Sequence, residues 1–102
     1  MNTPRSAWLK NPYRKQYITV RVNFSDEGIL FPRSLIWTDG QEYPIDRVKH
    51  ICSAPAPKSG GQDDRYTVEI CGQERFLFFE HNADPFDARL GKWFVEVKNP
   101  EF

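Results

Sequence analysis

Cysteine is nearly missing from this chain: Cys52 and Cys71 stand alone in 102 residues, and neither belongs to a Cys-x-x-Cys. That spacing excludes a disulfide-rich scaffold and the paired knuckles of a structural zinc module. Net charge is missing too. Fourteen basic residues balance fourteen acidic ones, so no overall field draws the chain to nucleic acid or to an anionic membrane. No apolar run approaches the roughly 18 residues of a membrane span, and no basic segment leads into a short apolar one as in a secretory leader. These absences predict a cytoplasmic, reduced, unprocessed protein without a membrane partner.

What the chain has is aromatic residues. Eight Phe, four Tyr and three Trp suit pleated, half-buried surfaces, and a chain of this length buries one core without staples. Strict alternation starts at Tyr17, where Ile18, Val20, Val22 and Phe24 interleave with Thr19, Arg21 and Asn23, the period of a strand with one buried face. Ser25 to Gly28 reads as a four-residue turn that sets Phe24 against Ile29 and Val22 against Phe31. That register places Phe31, Leu35 and Trp37 on the core side and Pro32 at an edge or a bulge, since proline cannot donate to a ladder.

The chain is organised around Leu35 to Val48, LIWTDGQEYPIDRV. Asp39-Gly40 is a strong hairpin signal. A three-residue loop with Gly40 in the left-handed region sets Leu35 against Tyr43, and only that geometry keeps Leu35, Trp37, Tyr43 and Ile45 on one face. The apolar phase then shifts to Val48, which implies a bulge near Asp46 and Arg47. Ser53 to Asp64 reads as a twelve-residue Pro/Gly-rich loop. Tyr66, Val68 and Ile70 alternate inward, Cys71 to Glu74 turn the chain, and Phe76 to Phe79 is apolar on both faces, as in a central or covered strand. Asp84-Pro85 fits the start of a short helical turn, and Lys92 to Lys98 is a last strand with Trp93, Val95 and Val97 on one side.

The expected fold is therefore all-β: one small domain of about six antiparallel strands in a meander, forming a small β-barrel or a curled sheet over residues 17–98. An irregular N-terminal arm, residues 1–16, precedes it. The arm carries Arg5, Lys10, Arg14 and Lys15 and no acid, so it holds +4 against −4 for the rest.

Few residues offer chemistry. His50, Cys52, Cys71 and His81 are the only His and Cys side chains. With Cys52 beside Arg65, Cys71 lies six residues further along that strand, about 20 Å away at 3.3 Å per residue, beyond disulfide reach. A rim of His50, Cys52 and His81 is the remaining arrangement for a metal or a thiol nucleophile. Lys58-Ser59-Gly60-Gly61 has phosphate-loop residues in the wrong order. No catalytic residue, metal or cofactor is assigned. Arg14, Lys15, Tyr17, Arg21, Arg47 and Lys49 form a candidate macromolecule-binding stripe, of the kind on which small barrels stack single-stranded nucleic acid.

The segments WTDGQEYPIDRV, GGQDDRYTVEICGQERFLFFE and KWFVE resemble a group of short bacterial proteins of unassigned function. Their pattern runs W-x-D-G, Y-x-I-D-x-V, a Gly-rich loop, R-Y, a G-x-E turn into an aromatic strand, and W-F-V-E. The likeness spans about Tyr17 to Val97. Such proteins are sometimes encoded beside lesion-bypass DNA polymerases, which keeps a nucleic-acid role in view. Of the matching positions, Asp46 and Arg65 are ionic without a turn or core explanation, and they are expected to form a structural ion pair or to face a ligand. The functional expectation is a non-enzymatic binding or accessory module, with a protein partner favoured over single-stranded nucleic acid. An enzyme or metal protein built on the His50, Cys52 and His81 rim is the alternative.

Overall fold

A computed structural model describes residues 12–55 and 62–98. They form seven antiparallel strands: β1 (Tyr13–Phe24), β2 (Leu30–Ile36), β3 (Glu42–Pro44), β4 (Arg47–Pro55), β5 (Gln62–Ile70), β6 (Gln73–His81) and β7 (Gly91–Lys98). The sheet order is β3-β2-β1-β7-β6-β5-β4, and no helix occurs among the described residues. Only two residues separate the two edge strands in sequence, so the sheet has to curl into a half-barrel until its edges approach. At that junction Ile45 donates its N–H to Arg33 of β2 and Asp46 donates to Glu69 of β5, at 2.9 and 2.8 Å. The expected third strand is thereby split in two, which is why seven strands replace six.

Alternation places Tyr66, Val68, Leu77, Phe79 and Trp93 in one buried cluster on the concave side, with Ile18, Val20, Leu30, Ile45 and Val48 packed around it. Tyr66 also crosses the curl: its hydroxyl donates to the Leu30 carbonyl at 2.9 Å, tying β5 to β2.

The Gly40 hairpin forms as expected. Leu35 pairs with Tyr43, Gly40 has φ +86°, and Gly40 N–H reaches the Trp37 carbonyl while Trp37 N–H reaches that of Gln41. The first hairpin uses the same device, which the sequence reading missed. Ser25 N–H bonds the Ile29 carbonyl, Gly28 N–H bonds the Ser25 carbonyl, and Gly28 has φ +84°. The loop therefore has three residues and Phe24 pairs with Leu30, not Ile29. The register then slips between Val22↔Pro32 and Arg21↔Ser34, an irregularity at the proline as expected. The slip exchanges the inward phase, so Leu30, Pro32 and Leu35 face inward and Phe31 is exposed rather than core.

Other boundaries move. β1 begins at Tyr13, so residues 13–16 of the expected arm are strand; residues 1–11 lie outside the described residues. The 53–64 loop contracts because β4 and β5 pair as far as Pro55↔Gln62; residues 56–61 are not described. The bulge expected near Asp46 is the Ile45–Asp46 junction, and a register shift follows between Val48 and His50. After Asp84 the chain makes one turn, with Phe86 N–H on the Asp84 carboxylate, and does not become helical.

Candidate functional site

Long ladders join β5 to both neighbours, but the β6–β7 ladder is short. It runs from His81↔Gly91 to Phe78↔Phe94 and ends there, whereas β7 stays paired with β1 as far as Tyr13↔Lys98. Gln73 to Leu77 and Val95 to Lys98 thus diverge, each strand remaining held on its other side. At the firm end Gly91 packs on β6 so closely that a Cβ would lie 2.2 Å from the Glu80 carbonyl oxygen. The strands are clamped at one end and splayed at the other.

The splay opens a cavity of about 640 Å³, within the range of ligand pockets. Inward residues Leu77, Val95 and Val97 line it together with outward residues Phe76 and Glu96. Residues of both phases border it because the gap between the parted strands opens into the concave side of the sheet. It is also lined by Leu35, Trp37 and Tyr43 from the β2–β3 hairpin across the curl and by Val68, Ile70 and Arg75 from the adjoining β5–β6 pair.

The convex face carries a second cluster. Tyr17, Phe94 and Phe78 are cross-strand neighbours; Phe78 stacks on Phe94 at 4.9 Å and Tyr17 meets Phe94 edge-on at 5.9 Å. Lys15 Nζ lies 2.8 Å from Glu80 Oε1, and the Tyr17 hydroxyl donates to the same oxygen at 2.9 Å. The Lys15 bond chiefly holds the Glu80 carboxyl below its ordinary value. Asp63, opposite Glu80, is buried, and its Oδ1 has no hydrogen-bond partner. Burial pushes its carboxyl up, against the nearby Lys15.

The expected stripe does not come together. Lys15, Tyr17 and Arg21 are on β1, and Arg47 and Lys49 are four strand spacings away on β4, about 19 Å at 4.8 Å per strand. Four of its cations are neutralised: Lys15 by Glu80, Arg21 by Glu42, Arg47 by Glu69 and Lys49 by Glu74. Arg14 belongs to the inward set of β1, paired with Val97.

Asp46 and Arg65 do not pair either. Asp46 is exposed and bonds β5 at Glu69, four residues from Arg65, which instead lies over Phe76 at 4.9 Å. The His/Cys rim is only partly brought together: Cys52 and His81 border one pocket beside Gly28 to Leu30, and His50 does not. Cys52 pairs with Arg65, as expected, and His50 with Thr67, both in the outward set. His81 is inward with Phe79 and bonds Asp64 at 2.7 Å. Both cysteines are free, and among the described residues no three His, Cys, Asp or Glu side chains converge on a cation position. No helix among them is long and apolar enough to cross a membrane.

The cleft itself was not foreseen. One signal was available: Arg75 is in phase with Leu77 and Phe79 in QERFLFF, a cation where alternation calls for an apolar group. Compared with known proteins, the chain matches no family model, and no curated protein or solved structure is significantly similar to it.

Proposed function

We propose that this protein is a non-catalytic binding module that takes an extended segment of a protein partner into the cleft between β6 and β7. The observation supporting this reading is the end of the β6–β7 ladder at Phe78↔Phe94. Beyond it, the facing backbone groups of the two strands have no ladder partner among the described residues. Such groups are obligatory donors and acceptors, and an extended chain is the ligand that satisfies a whole row of them while its alternate side chains enter apolar pockets. Because β6 and β7 are antiparallel, the incoming strand runs parallel to one and antiparallel to the other.

The convex face supports nucleic-acid stacking less well. A base would need the ring faces of Tyr17 and Phe76, and these hold Lys92 at 5.2 Å and Arg65 at 4.9 Å.

Amide hydrogen exchange tests the cleft reading, with peptides selected from a displayed random nonapeptide library as the probe. The expected result is rapid exchange, in the free protein, at the alternate amides of 73–77 and 95–98 that face the cleft rather than β5 or β1, and protection of those amides on binding. Protection confined to β4 and β5 would refute it.

A further inference from the structure

β4 is the last strand of the sheet, and its outer side has no strand neighbour among the described residues. Such an edge offers a row of backbone donors and acceptors to another chain. Much of this one is blunted. A register shift between Val48 and His50 disturbs its start, Lys49 is drawn to Glu74 at 3.2 Å, and Pro55, which cannot donate to a ladder, ends it. What stays open is the short run from His50 to Ser53.

That run presents two metal-ligand side chains on one face. His50 pairs with Thr67 and Cys52 with Arg65, so both belong to the outward set, with Ile51 between them. His50 and Ile51 are exposed, Cys52 is half-buried, and its thiol is free. Being on the edge strand, Cys52 also borders the pocket beside Gly28 to Leu30. Residues two apart on a strand stand about 6.6 Å from each other, twice the rise. One His and one Cys at that spacing make half of a tetrahedral site. Their own chain adds no third ligand there: His81 is in the inward set, and Cys71 sits in the turn between β5 and β6.

The other half follows from symmetry, because His50 and Cys52 are equidistant from Ile51. When the β4 strands of two copies pair antiparallel with Ile51 facing Ile51, the two-fold axis sets each His50 opposite the partner's Cys52. Cβ atoms directly opposite lie about 5 Å apart. The four ligand side chains then stand at the corners of a rectangle of about 5 by 6.6 Å on the outward face, which one ion with bonds of about 2.0–2.3 Å can gather. In that register Lys49 faces the partner's Ser53, so no like charges meet.

We propose that this chain forms a two-fold dimer around a zinc ion held by His50 and Cys52 of each copy, an assembly independent of the strand-binding cleft, since that cleft lies between β6 and β7 and away from β4. So short a ladder falls well below the area of a stable interface, so the dimer depends on the ion. Each thiol gives up its proton to solvent as it binds.

Sedimentation of the full chain under reductant, first stripped with chelator and then titrated with Zn(II), tests this. A monomer should become a dimer at one zinc per two chains, and Co(II) in place of zinc should show thiolate-to-metal charge transfer. Cys52→Ser and His50→Gln, each with its fold verified by a thermal melt, should weaken zinc binding by about a hundredfold and leave the chain monomeric. Cys71→Ser and His81→Gln should change neither stoichiometry nor assembly. One zinc per chain without dimerisation, zinc binding that needs His81, a dimer that persists in chelator, or an absence of zinc binding overturns the proposal.

Discussion

Replacing Tyr66 by Phe deletes one oxygen at the point where the curl is tied. The Tyr66 hydroxyl donates to the Leu30 carbonyl at 2.9 Å, while its ring, 3% exposed, packs against Trp93 with centroids 5.1 Å apart. Tyr66→Phe keeps the ring and removes the bond, so the loss is that of one neutral hydrogen bond plus the cost of stranding a shielded carbonyl, about 1–2 kcal/mol. For a chain of about 100 residues that is a fall in Tm of roughly 4–12 °C. Tyr17→Phe is the control: it removes a hydroxyl bond of the same length, to Glu80, but on a side chain 43% exposed, and should cost no more than about 0.5 kcal/mol. Urea denaturation followed by circular dichroism measures both, with the midpoint moving and the slope constant. If Tyr66→Phe left the midpoint where it was, or cost no more than Tyr17→Phe, the bond would not be what holds β5 against β2. A changed slope would show that the curl had opened in the native state.

Gly91→Ala drives a Cβ to 2.2 Å from the Glu80 carbonyl and 2.8 Å from the Phe79 ring, so β6 and β7 must part at their clamped end. A loss of about 1–3 kcal/mol is expected in chemical denaturation. Cys71 has φ +53° before Gly72 at +76° in a two-residue hairpin, a conformation Asn adopts far more readily. Cys71→Asn should therefore raise stability by about 0.5–1 kcal/mol, read as an upward shift of the urea midpoint. Glu80 has a lowered carboxyl pKa in the fold, chiefly through Lys15. Its stabilisation is complete above the ordinary carboxylate value and disappears as pH falls through the lowered one. Asp63, raised by burial, acts in the opposite sense, favouring the fold at low pH and losing that contribution as pH rises through its folded value. Melting curves between pH 3 and 7, an interval of about four units around ordinary carboxylate values, should show less acid sensitivity in Glu80→Gln and more in Asp63→Asn.

Hairpins were legible where one loop residue and the apolar phase agreed. Gly40 was placed correctly because a two-residue loop would have turned Tyr43 away from Leu35. Gly28 closes the same kind of loop, but the slip at Pro32 lets Phe31 look in phase with Leu35, and that false phase favoured a longer loop. The candidate site was less legible. The stripe was assembled from residues that are basic in sequence, and sequence does not show that their partners are Glu80, Glu42, Glu69 and Glu74, up to 65 positions away.

The sequence by itself determined that the chain is one all-β domain, that Ile18, Val20, Tyr66, Val68 and Trp93 alternate into its core, and where it turns at Asp39-Gly40 and Cys71-Gly72. These are local matters, settled by side-chain period and by the backbone angles a few residues tolerate. Only the tertiary structure decided that β6 and β7 part after Phe78↔Phe94, that Ile45–Asp46 joins the two edges of the sheet, and that Lys15, Arg21, Arg47 and Lys49 each meet a carboxylate. Those outcomes depend on strands distant in sequence competing for the same neighbours as the sheet curls, and no stretch of chain carries that competition within itself.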